Sequence, residues 1–217
     1  MSISQQEESL FTQWRQLCPD LVTDGVIDER LYMVSNPKIL LIIKEVNDKG
    51  GGNWDLREFV RNGGRPQTWE NVTRWLIGIR RLSEDIRWKE LEKITELQRR
   101  DELKSIAVMN LKKSPGGHTT IPEQLHSAAA RDRELLAEQF SIYSPDLIIC
   151  CGTDASNALH AQVRQVQSPR WQQTRRGIWY HKMSNGAAVI SYAHPEARVA
   201  DSILYYGLVD AVREIRC

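Results

Sequence analysis

Four apolar runs punctuate the chain: Ile39–Ile43, Ile106–Leu111, Leu147–Cys151 and Ala187–Tyr192. Each is short and rich in Ile, Val, Leu or Ala, and none alternates cleanly with polar residues. Such runs predict strands buried on both faces, the habit of parallel sheets. Helical spacings lie between them. Leu10, Phe11, Trp14 and Leu17 predict an N-terminal helix over about 3–18. Val72, Trp75, Leu76 and Ile79 predict another after the first strand. The charged segment of about 84–104 reads as a long, solvent-facing helical stretch. Residues of about 122–143 read as one helix that stops before Pro145. Thr153 or Asp154 can cap a helix through Ala155–Val166, and Tyr205–Ile215 gives the last one. Strands alternating with helices predict an α/β fold: a three-layer α/β/α sandwich around a central, mainly parallel four-stranded sheet, in one domain over 1–217.

At 217 residues the chain can bury a core without disulfide or metal staples. No apolar run approaches the roughly 20 residues that span a bilayer. The start, Met1-Ser-Ile-Ser-Gln-Gln-Glu-Glu, has no basic region followed by an apolar stretch. Cys18, Cys150, Cys151 and Cys217 form no C-x-x-C spacing, so no zinc or iron–sulfur site is expected. These features predict a cytoplasmic protein with no membrane partner. G-x-x-x-x-G-K-[ST], G-x-G-x-x-G after the first strand, H-E-x-x-H and G-x-S-x-G are all absent, which disfavours nucleotide cofactors, zinc hydrolases and α/β-hydrolases.

In open α/β sheets the ligand crevice lies beyond the carboxyl ends of the strands. Four polar exits follow the four runs: Lys44-Glu45-Val46-Asn47-Asp48, then Asn110 through His118, then Gly152-Thr153-Asp154, then Tyr192-Ala193-His194-Pro195-Glu196-Ala197-Arg198. Singly, each is a common turn or surface feature. Together at equivalent ends they predict a cleft. Charge adds a second hint. From Ala155 to Pro195 there is no Asp or Glu, while Arg164, Arg170, Arg175, Arg176 and Lys182 interleave with Trp171, Trp179 and Tyr180. With Lys112 and Lys113, this reads equally as a phosphate-binding patch or as a solvated basic face.

In this order the segments resemble the uracil-DNA glycosylase superfamily over roughly four-fifths of the chain. Val34–Ile79 resembles its first block, in which Gln67-Thr68-Trp69-Glu70-Asn71-Val72 is similar to P-S-L-x-N-I. Ser105–Gly117 resembles the strand whose terminal Asn reads the base. Pro145–Leu159 resembles P-x-x-I-x-x-x-G-x-x-A-x-x-A-L, and Gly177–Arg198 the final hairpin and strand ending in H-P-S. There are departures. The first motif lacks its leading Gly and its Pro, and Glu196 stands where Ser is usual. Two registers are open. Glu45 can match the second-position Gln or Glu, which puts Val46 at the water-activating place. Alternatively Asn47 matches the Asn of the mismatch-specific branches, with Asp48 replacing Pro. The second is preferred because an amide can position a water and Val cannot.

The resemblance implies a monofunctional DNA glycosylase that flips out a base and hydrolyses its N-glycosidic bond, leaving an abasic site. It implies Asn47, Asp48, Glu45 and His194 as catalytic groups. Asn110 would read the base, and Phe59 or Trp54 would stack on it. Thr68, Lys112, Lys113, Ser114, Thr153, Arg175, Arg176 and Arg198 would hold DNA. It also implies a monomer that needs no metal, cofactor or protein partner. Gly50-Gly51-Gly52 would leave room for a base larger than uracil, such as a modified cytosine, in repair or phage defence. Alternatives are a catalytically weak nucleic-acid-binding member and an enzyme of free nucleosides. The basic segment disfavours the latter.

Overall fold

The computed structural model describes residues 1–163 and 170–216. In chain order the elements are α1 Ile3–Leu17, β1 Gly25–Val26, α2 Glu29–Val34, β2 Ile39–Ile43, α3 Leu56–Arg61, α4 Pro66–Arg80, α5 Trp88–Leu91 and α6 Glu96–Leu103. Then come β3 Ile106–Asn110, α7 Pro122–Arg131, α8 Arg133–Tyr143, β4 Leu147–Cys151, α9 Thr153–Val163, β5 Gln172–Gln173, β6 Trp179–Lys182, β7 Ala188–Tyr192 and α10 Asp201–Arg216.

The strands form a single sheet in the order β1-β3-β2-β4-β7-β6-β5. The four apolar runs are its centre. β2 pairs in parallel with β3 and β4, and β4 pairs in parallel with β7. Successive side chains of β2 go to opposite faces. Leu40 and Ile42 join a core with Leu10, Phe11, Trp14 of α1 and Leu136 of α8. Ile39 and Leu41 join a core with Trp75 and Leu76 of α4 and Leu208 of α10. Helices therefore cover both faces, and the central strands are apolar throughout for that reason.

Among the described residues the sheet has seven strands rather than the four expected. β1, β5 and β6 add antiparallel edges. β1 and β5 are two residues long, and Gln172 and Gln173 are exposed, so neither carries a hydrophobic period. Only their pairing makes them strands.

Two helical expectations also need correction. The 84–104 segment is no continuous solvent-facing helix. It holds α5 and α6, anchored by buried Ile86, Leu91, Ile94 and Leu103. Thr95 and Gln98 form a capping box that restarts the helix at α6. The 122–143 segment breaks at Asp132, whose buried carboxylate accepts the Trp14 indole N–H at 3.0 Å and the Arg131 guanidinium. Burying that carboxylate takes it out of a helical surface position. The last residues of the expected 155–166 helix, with Arg164, lie outside the described residues, as does Cys217.

Chain order sets where a ligand can sit. From β2 the chain crosses to β3 on one side, and it returns to β4 on the other side of β2. The loops leaving β2 and β4 thus diverge, which opens a crevice at their carboxyl ends.

A candidate active-site cleft at the switch point

A cleft of about 780 Å³ lies at this place. The β2 exit supplies Lys44 through Asp48. Trp54 and Phe59 come from the next loop and α3, Arg65 and Thr68 from the start of α4, and His194 through Glu196 from the β7 exit. Gly117, His118 and Thr120 close one side. Of the residues singled out from the sequence, Glu45, Asn47, Asp48, Trp54, Phe59, Thr68 and His194 share this wall, whereas Asn110, expected beside them as the base reader, does not line the cleft.

The β2 exit is held by an extension of the β2–β3 pairing. Lys112 N–H donates to the Lys44 carbonyl at 2.9 Å, and Gly116 N–H to the Val46 carbonyl at 2.8 Å. Asn47 and Gly116 form an isolated parallel bridge. Glu45 runs close against Gly116: a Cβ there would stand 2.5 Å from its Oε1. The Glu45 side chain is 5% exposed, and Lys112 Nζ lies 3.7 Å from its Oε2. That buried oxygen has no hydrogen-bond partner among the described residues. Asn47 is exposed at the rim.

Asp48 is a loop organiser. Its Oδ2 accepts the Gly52 backbone N–H at 3.0 Å and the Trp54 indole N–H at 2.9 Å. Gly51 and Gly52 serve this loop, while nothing lies within 4 Å of a Cβ placed on Gly50. A Cβ on Gly51 would stand 1.9 Å from the Asp48 carboxylate, and one on Gly52 would meet the Asp20 carbonyl at 2.4 Å. Trp54 meets Phe59 edge-on with ring centroids 6.1 Å apart, and Phe59 is exposed.

His194 takes its orientation from its own loop. The Glu196 backbone N–H donates to Nδ1 at 3.1 Å. In the neutral imidazole, Nε2 then carries the proton and is a donor. Burial holds His194 below the ordinary imidazole value. The Glu196 carboxylate opposes this, while the Lys44 and Arg65 charges add to it. The Glu196 side chain accepts from Thr68 Oγ1 and from the Arg65 guanidinium. Burial raises its pKa, but these two donors outweigh that and keep it ionised below the usual carboxylate range.

Asn110 ends β3 directly beside Ile43. It is fully buried, and its side-chain Oδ1 and Nδ2 both lack protein partners among the described residues. Its backbone N–H donates to Asp24 Oδ2 at 2.7 Å. Asn110 and His194 stand at the same edge of the sheet, three strands apart, or roughly 14 Å at normal strand spacing.

Two expected DNA contacts, Lys112 and Lys113, are not available as surface charges. Lys113 is wholly buried: its ammonium bonds both Asp24 oxygens at 2.7 Å and Gln139 at 2.8 Å, and lies 4.6 Å from the Trp14 ring centroid. Lys112 is largely buried and turned onto the Ser114 and Pro115 carbonyls, both at 3.3 Å. Arg176 pairs with Asp210, and the Arg175 backbone N–H bonds Glu214. Both partners belong to the last turns of α10, whose Arg216 reaches Asn36 at the amino end of β2, opposite the cleft. Within the acid-free stretch Arg176 thus pairs with an acid from elsewhere in the chain, while Arg170, Arg175 and Lys182 are exposed. Thr68 is engaged by Glu196. Ser114 is half-buried, and Thr153 and Arg198 are exposed.

Lys44, Arg65 and His118 were not singled out from the sequence, yet all three line the cleft. Lys44 stood in the first exit and pairs with Asp154 at 3.6 Å. His118 ended the second polar exit, whereas Arg65 lies in a loop where nothing but three-dimensional proximity marks it. Cys151 also lines the cleft, but burial pushes its thiol up to about 12, so it is no nucleophile at neutral pH. Among the described residues no three His, Cys, Asp or Glu side chains gather as a metal site, and no helix is long and apolar enough to cross a membrane. The chain matches no protein-family model and no curated protein.

Proposed function

We propose that the chain hydrolyses an N-glycosidic bond between a nucleobase and its sugar, as a base-excising glycosylase. The observation that carries this reading is the pairing, in one cleft, of a His194 Nε2 donor with the buried Glu45 carboxylate. Such cleavage passes through an oxocarbenium-like sugar while the base departs as an anion. A preorganised N–H donor stabilises the developing negative charge on the base. A carboxylate held in a low-dielectric wall stabilises the sugar cation and can orient a water. Trp54 and Phe59 supply the apolar wall for a flat ring.

Between the two registers of the first motif, we assign the water-orienting role to Glu45. It is buried in the wall, whereas Asn47 is exposed at the rim and Asp48 is committed to its loop.

DNA remains the substrate of the leading reading, with Arg198 and Thr153 as exposed contacts. A specific observation favours a second one, a free nucleoside or nucleotide: Lys113 is buried and Lys112 largely so, and neither offers an open phosphate contact beside the cleft. One experiment tests both. The protein is incubated with oligonucleotides carrying uracil, hypoxanthine, hydroxymethylcytosine or glucosylated hydroxymethylcytosine, and with the matching nucleosides. Free base is then measured by chromatography. Release from oligonucleotides alone supports the DNA reading, and release from nucleosides alone supports the second. No release from either class rejects the proposal.

A further inference from the structure

We infer that Glu196 is a specificity determinant: its carboxylate holds the two donors, Arg65 and Thr68, that would otherwise take a substrate phosphate, and so weakens the cleft's grip on a phosphodiester. The inference rests on the reading of this cleft as the substrate site, and it names a chemical class that the site selects against.

Three observations support it. First, a guanidinium and a hydroxyl from the first turn of α4 converge on one carboxylate oxygen. Two donors of this kind on a single oxygen form the usual grip on a phosphate oxyanion. Second, the carboxylate comes from the same short loop as His194, two residues on, so an anion in its place would lie beside the imidazole and within the cleft wall. Third, the contact is open to water. The Arg65 and Glu196 side chains are 55% and 32% exposed, so a ligand can reach the donors from outside. A resident carboxylate neutralises the guanidinium and adds a negative charge that repels a second anion. This is discrimination by a built-in unfavourable contact rather than by a favourable one. A phosphate must displace Glu196 before it can use these donors, whereas an uncharged base and sugar need not.

A pair this exposed contributes little to folding, so its removal leaves the protein intact. The test is a binding measurement on the full chain by fluorescence anisotropy. The probe is a labelled single-stranded DNA oligonucleotide containing a tetrahydrofuran abasic analogue. Glu196→Gln and Glu196→Ser should both bind it about tenfold more tightly than wild type at low salt. Their log–log salt slopes should steepen by about 0.7, the increment for one added phosphate contact on a single strand. Arg65→Ala placed on top of Glu196→Gln should abolish the gain. Equal or weaker binding by both Glu196 variants overturns the inference, and so does a gain that survives loss of Arg65. Base release is followed in parallel on the substrate panel. If affinity rises but no base is ever released, the specificity role stands and the glycosylase reading fails. If wild type releases base and affinity does not rise, the reverse holds.

Discussion

The backbone N–H of Glu196 donates to Nδ1 of His194 across 3.1 Å, and that bond decides which imidazole nitrogen is left to act. A neutral His194 accepts at Nδ1 and donates at Nε2. Protonation of Nδ1 would set two N–H groups against each other, so the loop itself favours the neutral ring. Burial acts in the same direction.

The first prediction follows from that ring and from His181, the buried histidine of β6, which burial and the neighbouring His160 also hold below the ordinary imidazole value. The unfolded chain takes up these two protons near pH 6.5, and the folded chain resists until lower pH. Between those values the unfolded state binds more protons, so stability falls as the pH drops below about 6.5. Glu7 opposes this, because burial raises its carboxyl above the usual value and its contribution declines as pH rises above 4.5. The informative quantity is therefore a difference. The change in thermal midpoint between about pH 7.5 and about pH 5.5 should shrink in His181→Asn and again in His194→Asn. Identical pH slopes in wild type and both variants would count against the assignment.

A second prediction concerns Lys113, buried against Asp24, Gln139 and the Trp14 ring. Burial pulls its ammonium below the ordinary value even though Asp24 supports the charge. Removing one member of a buried pair strands the other. Asp24→Ala and Lys113→Met should each cost about 3–5 kcal/mol in urea unfolding, while Asp24→Leu with Lys113→Met should recover part of that loss. Single variants within about 0.5 kcal/mol of wild type would show that the pair is not desolvated.

Lys113 also marks where the sequence stops being legible. The four central strands could be read because both faces of each are buried, and a strand with one face in water would have shown polar residues at every second position. The convergence of Glu45, Asn47 and His194 was legible for a related reason: parallel strands all end at one edge. The charges were not. Lys112 and Lys113 follow a strand side by side, and nothing local says that one is swallowed by Asp24, which lies far away in the chain. Arg176 looks unopposed along the sequence because its partner Asp210 comes from α10. Arg65 belongs to the site only because the start of α4 faces the β7 exit. Periodicity reports burial along an element, whereas ion pairing between elements is a property of the fold.

A third prediction tests the loop between β2 and α3. Gly51→Ala would drive a methyl into the Asp48 carboxylate, which must then release the Gly52 N–H or the Trp54 indole. Loss of one such bond to a charged acceptor costs about 1.5–3 kcal/mol. Trp54 should also become more accessible to a quencher such as acrylamide. Gly117→Ala is the control, since nothing lies within 4 Å of a Cβ there and its backbone does not require glycine. Equal behaviour of the two variants would remove the structural role given to Asp48.

The last prediction separates the two registers of the β2 exit. Glu45 lies in the cleft wall with 5% of its side chain exposed, next to Lys112 and against Gly116. A group so confined is preorganised, and preorganised polar groups contribute about two to three orders of magnitude when they meet charge developing in the transition state. Glu45→Gln keeps the shape and removes the charge. On any substrate the protein cleaves, it should lower kcat by about 100-fold with little change in KM, because the ground-state base and sugar carry no cation for Glu45 to bind. Asn47 is anchored through its backbone bridge to Gly116, while its side chain stands at the exposed rim. Asn47→Ala should then change kcat only a few-fold, since water can replace an amide at the rim. Measured side by side, the two variants give opposite answers under the two registers. A large kcat loss in Asn47→Ala with a mild effect in Glu45→Gln would return the water to Asn47, and Glu45 would become a structural partner of Lys112.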